Sequence, residues 1–177
     1  MSLKYFILAC LSLLLLNGCA APYSSRPIPQ DTIGTYFADK FIIEKKLFGA
    51  GVEIVELGDK VSVLIPTDRV FEFNSPTIRP DSHAFLDMLT AYISRFCGTH
   101  LTIAVYTDNV GSKHKAKIMS QYRAQSVAAY FWVRGFPQQN LHPIGRGMEP
   151  TIADNDNVHN NRLNRRIEIC FWKSLAY

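Results

Sequence analysis

The sequence predicts an α+β domain: a mixed sheet with two long helices on one face, preceded by a short helix and a β-hairpin. Three observations carry this. VEIVEL (52–57) and KVSVLIP (60–66) alternate apolar and polar residues around Gly58-Asp59, a two-residue hairpin signal. Two later segments bring apolar residues back at helical spacing, first Phe85, Met88, Leu89, Tyr92, Ile93 and Phe96, then Met119, Tyr122, Val127, Tyr130, Phe131 and Val133. LTIAVY (101–106) and RRIEICFW (165–172) are rich in β-formers and lie on either side of the second of these helices.

From the N-terminus, residues 5–16 are apolar apart from Ser12, and Lys4 is the only charge before Arg26. That run is too short to span a bilayer, which needs about 20 residues. It fits the apolar region of a secretory signal peptide. It ends Leu16-Asn17-Gly18-Cys19, which resembles the bacterial lipobox. The resemblance implies that residues 1–18 are removed and that Cys19 is acylated as the first mature residue. A signal-anchor helix, or an ordinary signal that contains a cysteine, are the alternatives. Ala20, where the sorting rule looks for Asp, implies an outer-membrane destination facing the periplasm. AAPYSSRPIPQ (20–30) has no apolar period and reads as a mobile tether, so residues 19–35 form the lipidated cysteine and its linker.

In YFADKFIIEKKLF (36–48) Phe37, Phe41, Ile42 and Phe48 supply the apolar side of a short amphipathic helix, ended by Gly49-Ala50-Gly51. With the hairpin it makes up a segment over 36–66. Residues 67–177 form the main domain. Its elements are a strand VFEF (70–73), a helix from about Asp81 capped by Asp81 or Ser82 and ended by Gly98, and the strand LTIAVY. A loop TDNVG, a helix from about Ser112 to Arg134, a short strand LHPIG (141–145), a polar Asn-rich stretch and the final strand follow. The order is βαβαβ-β.

The chain has 177 residues and a net charge of +4, too mild to argue for a nucleic-acid partner. Of the four cysteines, Cys10 leaves with the signal and Cys19 carries lipid. Cys97 and Cys170 either pair in an oxidising periplasm or stay as buried thiols. Closing a loop of about 74 residues is worth about 4 kcal/mol in the chain-entropy model. The five histidines show no metal-ligand spacing, so no metal or cofactor is expected. No catalytic serine, cysteine or phosphate-loop motif is present, and no enzyme is expected.

The ordered elements Thr107-Asp108-Asn109-x-Gly111, Ser120-x-x-Arg123-Ala124-x-x-Val127, Gly145-x-Gly147, Ala153-x-Asn155 and Asn164-Arg165-Arg166 resemble the OmpA-like C-terminal domain of peptidoglycan-associated lipoproteins. The resemblance covers roughly residues 68–172. It implies non-covalent binding of peptidoglycan through the diaminopimelate of the stem peptide, with Asp108 on the ammonium and Arg123 on the carboxylate. Thr107, Asn109 and Gly111 complete the loop, and Arg165 stands as a partner of Asp108. The chemistry is sound on its own terms. A free amino-acid end is a zwitterion, and a planar guanidinium donates two parallel bonds to its carboxylate. A glycan-cleaving site calls for two carboxylates instead. Without the resemblance, Asp108 reads as a helix cap and Arg123 as a surface ion pair. Arg165 and Arg166 should point to opposite faces of the last strand.

The chain departs from the family pattern at Val105-Tyr106 (usually Gly-His), Ala116 (often Asn), Asn160-Asn161 and Thr151. The expected function is an outer-membrane lipoprotein that tethers the membrane, or an envelope complex, to the cell wall. The alternative is an accessory subunit of an envelope-spanning secretion apparatus, with the domain making contacts to core subunits. The hairpin and Thr67-Asp68-Arg69 loosely resemble lipoproteins of the Dot/Icm type IV secretion system.

Overall fold

The computed structural model describes residues 32–108, 111–148 and 163–173. The readings for residues 1–18, Cys19, Asn109, Thr151, Ala153-x-Asn155 and Asn160-Asn161 lie outside them.

Helix α1 (Thr32–Gly49) begins four residues before the predicted start at residue 36. It ends where Gly51 turns at φ +82° and Val52 N donates to Leu47 O at 3.0 Å. Its predicted apolar side is not the buried one. Phe41 and Phe48 are 67% and 78% exposed, Ile42 is exposed too, and Leu47 is fully buried with Ile43 packed beside it. Polar contacts decide the rotation. Lys40 Nζ sits over the Phe96 ring at 5.5 Å and donates to Glu56 Oε1 at 3.0 Å, while Tyr92 donates to Glu44 Oε1 at 2.8 Å. The inward stripe is therefore Lys40, Ile43, Glu44 and Leu47, spaced as one helix face.

Strands β1 (Glu53–Leu57) and β2 (Lys60–Pro66) form the expected hairpin, with Leu57 opposite Lys60 and Gly58 at φ +60° in the turn. On β2, Val61, Val63 and Ile65 point to the core and Lys60, Ser62 and Leu64 away from it. The predicted strand VFEF is instead a helical turn, α2 (Thr67–Val70), followed by a single bridge from Phe71 to Ile78. Val70 and Phe71 are both buried, and consecutive buried residues do not fit a strand that alternates faces.

A 3-10 turn, Pro80–Ser82, leads into α3 (His83–Phe96), which buries Phe85, Leu86, Leu89, Tyr92, Ile93 and Phe96. Ser82 precedes the helix without capping it; its hydroxyl donates to Arg69 O at 2.7 Å. Strand β3 (Cys97–Tyr106) follows directly. Helix α4 (Lys113–Val133) buries Ser120, Arg123, Ala124, Val127, Ala128, Tyr130 and Phe131. Tyr122 and Val133, expected inside, are exposed, because the buried stripe runs through Ser120, Ala124, Val127 and Phe131 and both lie off it. Gly135, at φ +98°, closes the helix.

Strands β4 (Leu141–Gly147) and β5 (Arg166–Lys173) complete a five-stranded sheet of order β1-β2-β5-β3-β4. Only the β3–β4 pair is parallel. The hairpin is thus part of the sheet, with β2 paired to β5. Val61, Val63, Ile65, Leu101, Ile103, Val105, Ile167, Ile169 and Phe171 form one face and share a core with α3 and α4. That core runs from Leu47 to Phe171, inside the compact unit Asp31–Tyr177. Among the described residues no helix is long and apolar enough to cross a membrane.

No disulfide joins Cys97 and Cys170, against that one of the two alternatives. Along β3 and β5, Cys97 lies opposite Lys173, and Cys170 lies opposite Thr102. Three residues of β5 therefore separate the two, roughly 10 Å of strand, beyond disulfide reach. Cys170 Sγ instead lies 3.3 Å from Ser62 Oγ, and burial pushes its thiol up.

Candidate functional site

The sheet order places the site. Strand β5 lies between β2 and β3 and runs antiparallel to both. The residues just past the ends of β2 and β3 therefore flank the residue just before β5. Those residues are Thr67-Asp68, Thr107-Asp108 and Arg165. Thr67 N donates to Arg165 O at 3.0 Å, continuing the β2–β5 ladder by one rung.

Arg165 bridges the two carboxylates. Its Nε and Nη2 donate to Asp68 Oδ1 and Oδ2 at 3.2 and 2.8 Å, and its Nη1 donates to Asp108 Oδ2 at 2.9 Å. The bonds to Asp68, reinforced by those to Asp108, raise the Arg165 guanidinium above its ordinary value despite the opposing cost of desolvation. Asp108 Oδ1 has no hydrogen-bond partner among the described residues. Arg166 points to the opposite face, 3.8 Å above the Tyr106 ring.

Helix α4 brings Arg123 to the same cluster. Arg123 is only 7% exposed. Its Nε donates to Ser75 O at 2.9 Å, and the guanidinium lies 5.3 Å from the Phe71 ring. Neither Nη has a hydrogen-bond partner among the described residues. Burial holds this guanidinium below its ordinary value; Asp68 and Asp108 oppose that shift, and Arg165 adds to it. The cluster is thus two carboxylates and two guanidiniums, neutral in sum, with part of one carboxylate and the fork end of one arginine uncommitted. Such an arrangement can accept an ammonium and donate two bonds to a carboxylate.

The structure therefore brings Asp108, Arg123 and Arg165 together. Thr107 acts differently from a ligand-facing hydroxyl: its N donates to Gly147 O at 2.7 Å, and its Oγ1 is sealed from solvent without a partner among the described residues. Gly111 turns the loop at φ +93° before α4 begins. Sequence reasoning missed Asp68, Ser75 and Phe71 as site components. A signal for Asp68 exists, since Thr-Asp occurs twice, each time directly after an apolar strand. Among the described residues no group of three or more His, Cys, Asp or Glu side chains is placed to hold a metal.

The Gly-x-Gly element keeps α4 in place. Gly145 N donates to Gln121 Oε1 at 2.7 Å and Gly147 N donates to Ser120 Oγ at 2.9 Å. Of the departures, Val105 lies in the core and Tyr106 on the sheet face away from the helices, so neither side chain enters the charged cluster.

Residues 70–165 match the profile of the OmpA family. The chain is 28% identical over 127 residues to the probable lipoprotein YiaD of Escherichia coli, covering 72% of this chain and 58% of that protein. It is 32% identical over 108 residues to outer membrane protein A of Bordetella avium, covering 60% of this chain and 55% of that one. The chain thus spans a little over half the length of these relatives. Among solved structures, it resembles the cell wall anchor of the T6SS from Pseudomonas aeruginosa, with a TM-score of 0.68 at 20% identity over 75% of this chain and 96% of that one. It also resembles a MotB-like protein from Desulfovibrio vulgaris, with a TM-score of 0.69 at 20% identity over 80% of this chain and 93% of that one. These likenesses carry the fold, and the profile match across more than half of the sequence carries the kinship: the chain belongs to the OmpA family.

Proposed function

We propose that this chain is a non-enzymatic envelope lipoprotein that binds peptidoglycan through the diaminopimelate of the stem peptide. The carrying observation is the pairing of an uncommitted Arg123 fork with a half-committed Asp108 in one neutral cluster. The ammonium sits on Asp108 and the carboxylate on Arg123, with Arg165 orienting Asp108. Relatives named as an outer membrane protein, a lipoprotein and a cell wall anchor support an envelope location and a wall-bound role. Acylated Cys19 holds the outer membrane from its periplasmic side and the pocket holds the wall, so two modest attachments on one linker gain effective concentration.

Purified sacculi provide the test. Wild-type residues 31–177 should sediment with them, and Asp108→Ala should cut the bound fraction at least tenfold. Equal sedimentation of the two proteins removes the pocket from the reading. For the anchor, Cys19→Ser in the full chain should move the protein from the membrane fraction to the soluble one; unchanged partitioning contradicts acylation.

A second reading, an accessory subunit of a secretion apparatus, is favoured by the exposed Phe41, Ile42 and Phe48 on α1. Sacculus binding by the wild type that is lost in Asp108→Ala argues against that reading as the main role.

A further inference from the structure

Asp68 is the one charged member of the cluster to which the binding reading assigns no task, and it lies outside the residues matched by the family profile. We infer that Asp68 is a specificity-determining residue: by occupying Arg165 it keeps Asp108 available to an ammonium, and so makes the pocket prefer a zwitterionic amino-acid end to a plain carboxylate. The inference rests on the peptidoglycan reading above and names what tunes that site.

Geometry carries it. An arginine beside a lone aspartate forms a two-bond pair that uses both carboxylate oxygens and cancels their charge. Here one edge of the Arg165 guanidinium, Nε and Nη2, is already spent on Asp68. Held at that edge, Arg165 meets Asp108 through Nη1 alone, on a single oxygen, Oδ2. The other oxygen is left for the ligand.

Exposure divides the labour in the same sense. The Asp68 side chain is 54% exposed at the rim, whereas that of Asp108 is 19% exposed and lies deeper. Backbone contacts hold Asp68 in place, with Thr67 N on Arg165 O and Phe71 N on Thr67 O, both at 3.0 Å. Charge gives the same answer. With Asp68 ionised, the two carboxylates and two guanidiniums sum to zero and match a zwitterion. With Asp68 neutral, the site carries one excess positive charge and favours a bare anion.

The test titrates residues 31–177 with meso-diaminopimelate and with pimelate, which has the same carbon chain and both carboxylates but no amino group. The wild type should prefer diaminopimelate. Asp68→Asn should bind diaminopimelate about tenfold more weakly and pimelate as well or better, collapsing the ratio. Asp68→Glu should restore most of it. In an Arg165→Gln background, Asp68→Asn should have no further effect on the ratio, since its action runs through that arginine. A ratio within twofold of wild type in Asp68→Asn overturns the inference. If Asp108→Asn loses diaminopimelate in the same experiment, the pocket reading survives without it. A wild type that binds neither compound overturns both. A merely structural role for Asp68 would lower affinity for both compounds together and leave the ratio unmoved, and that result also overturns the inference.

Discussion

Arg123→Ala is expected to weaken binding of a diaminopimelate-containing muropeptide about a hundredfold, and Arg123→Lys at least tenfold, by calorimetric titration. The alanine variant removes both bonds to the ligand carboxylate; charged hydrogen bonds contribute about 1.5–3 kcal/mol each. It also leaves Asp68 and Asp108 facing a single arginine, so the pocket acquires a net negative charge that repels the incoming carboxylate. The lysine variant keeps the charge and isolates the geometry. Arg123 anchors itself through Nε on Ser75 O and still presents both Nη atoms. A single ammonium cannot hold that carbonyl and also donate two coplanar bonds to the ligand. Burial adds to the deficit, because the site already disfavours charge on Arg123, and a lysine releases its proton more readily there. Binding by Arg123→Lys within twofold of wild type would mean that the fork makes no bidentate contact.

The parts of this fold that were legible in the sequence are those with strong local periodicity. The β2 alternation, the α3 stripe and the apolar β3 all stand where their patterns put them. The rotation of α1 was not legible, because its inward face is half polar: Lys40 and Glu44 are drawn in by Phe96, Glu56 and Tyr92, partners distant in sequence. A hydrophobic count chose Phe41 and Phe48 instead. The place of the hairpin in the sheet was equally hidden, since β2 pairs with a strand about a hundred residues away and leaves no local trace of it. That pairing is also why Asp68 was overlooked. Only when β5 lies between β2 and β3 do the two Thr-Asp steps become equivalent neighbours of Arg165. The charged pair Asp108 and Arg123 came from resemblance to a family, and the third member, Arg165, from the same pattern. What the structure adds is the bond that sets how much of Asp108 remains free.

Gly145→Val should cost about 3 kcal/mol or more of stability, the upper range for forcing atoms into a packed interior. A Cβ at Gly145 would lie 2.5 Å from Gln121 Cα and 2.7 Å from Ser120 Oγ. The Gln121 atom is main chain, so it cannot turn aside, and α4 as a whole must back away from β4. Retreat is resisted by the bonds that hold the helix there, from Gly145 N to Gln121 Oε1 and from Gly147 N to Ser120 Oγ. For a unit of this size the loss corresponds to a fall in Tm of roughly 10 °C. Gly49→Ala provides the contrast, since nothing lies within 4 Å of a Cβ built there and the position is helical. That change should be neutral or raise stability by a few tenths of a kcal/mol to about 1 kcal/mol. Thermal unfolding followed by circular dichroism separates the two. Because α4 carries Arg123, Gly145→Val should also weaken ligand binding at temperatures where the protein is still folded, through displacement of the guanidinium from Ser75 and Asp108. A variant that melts like the wild type would show that α4 and β4 are less tightly apposed than the Gly145 contact requires.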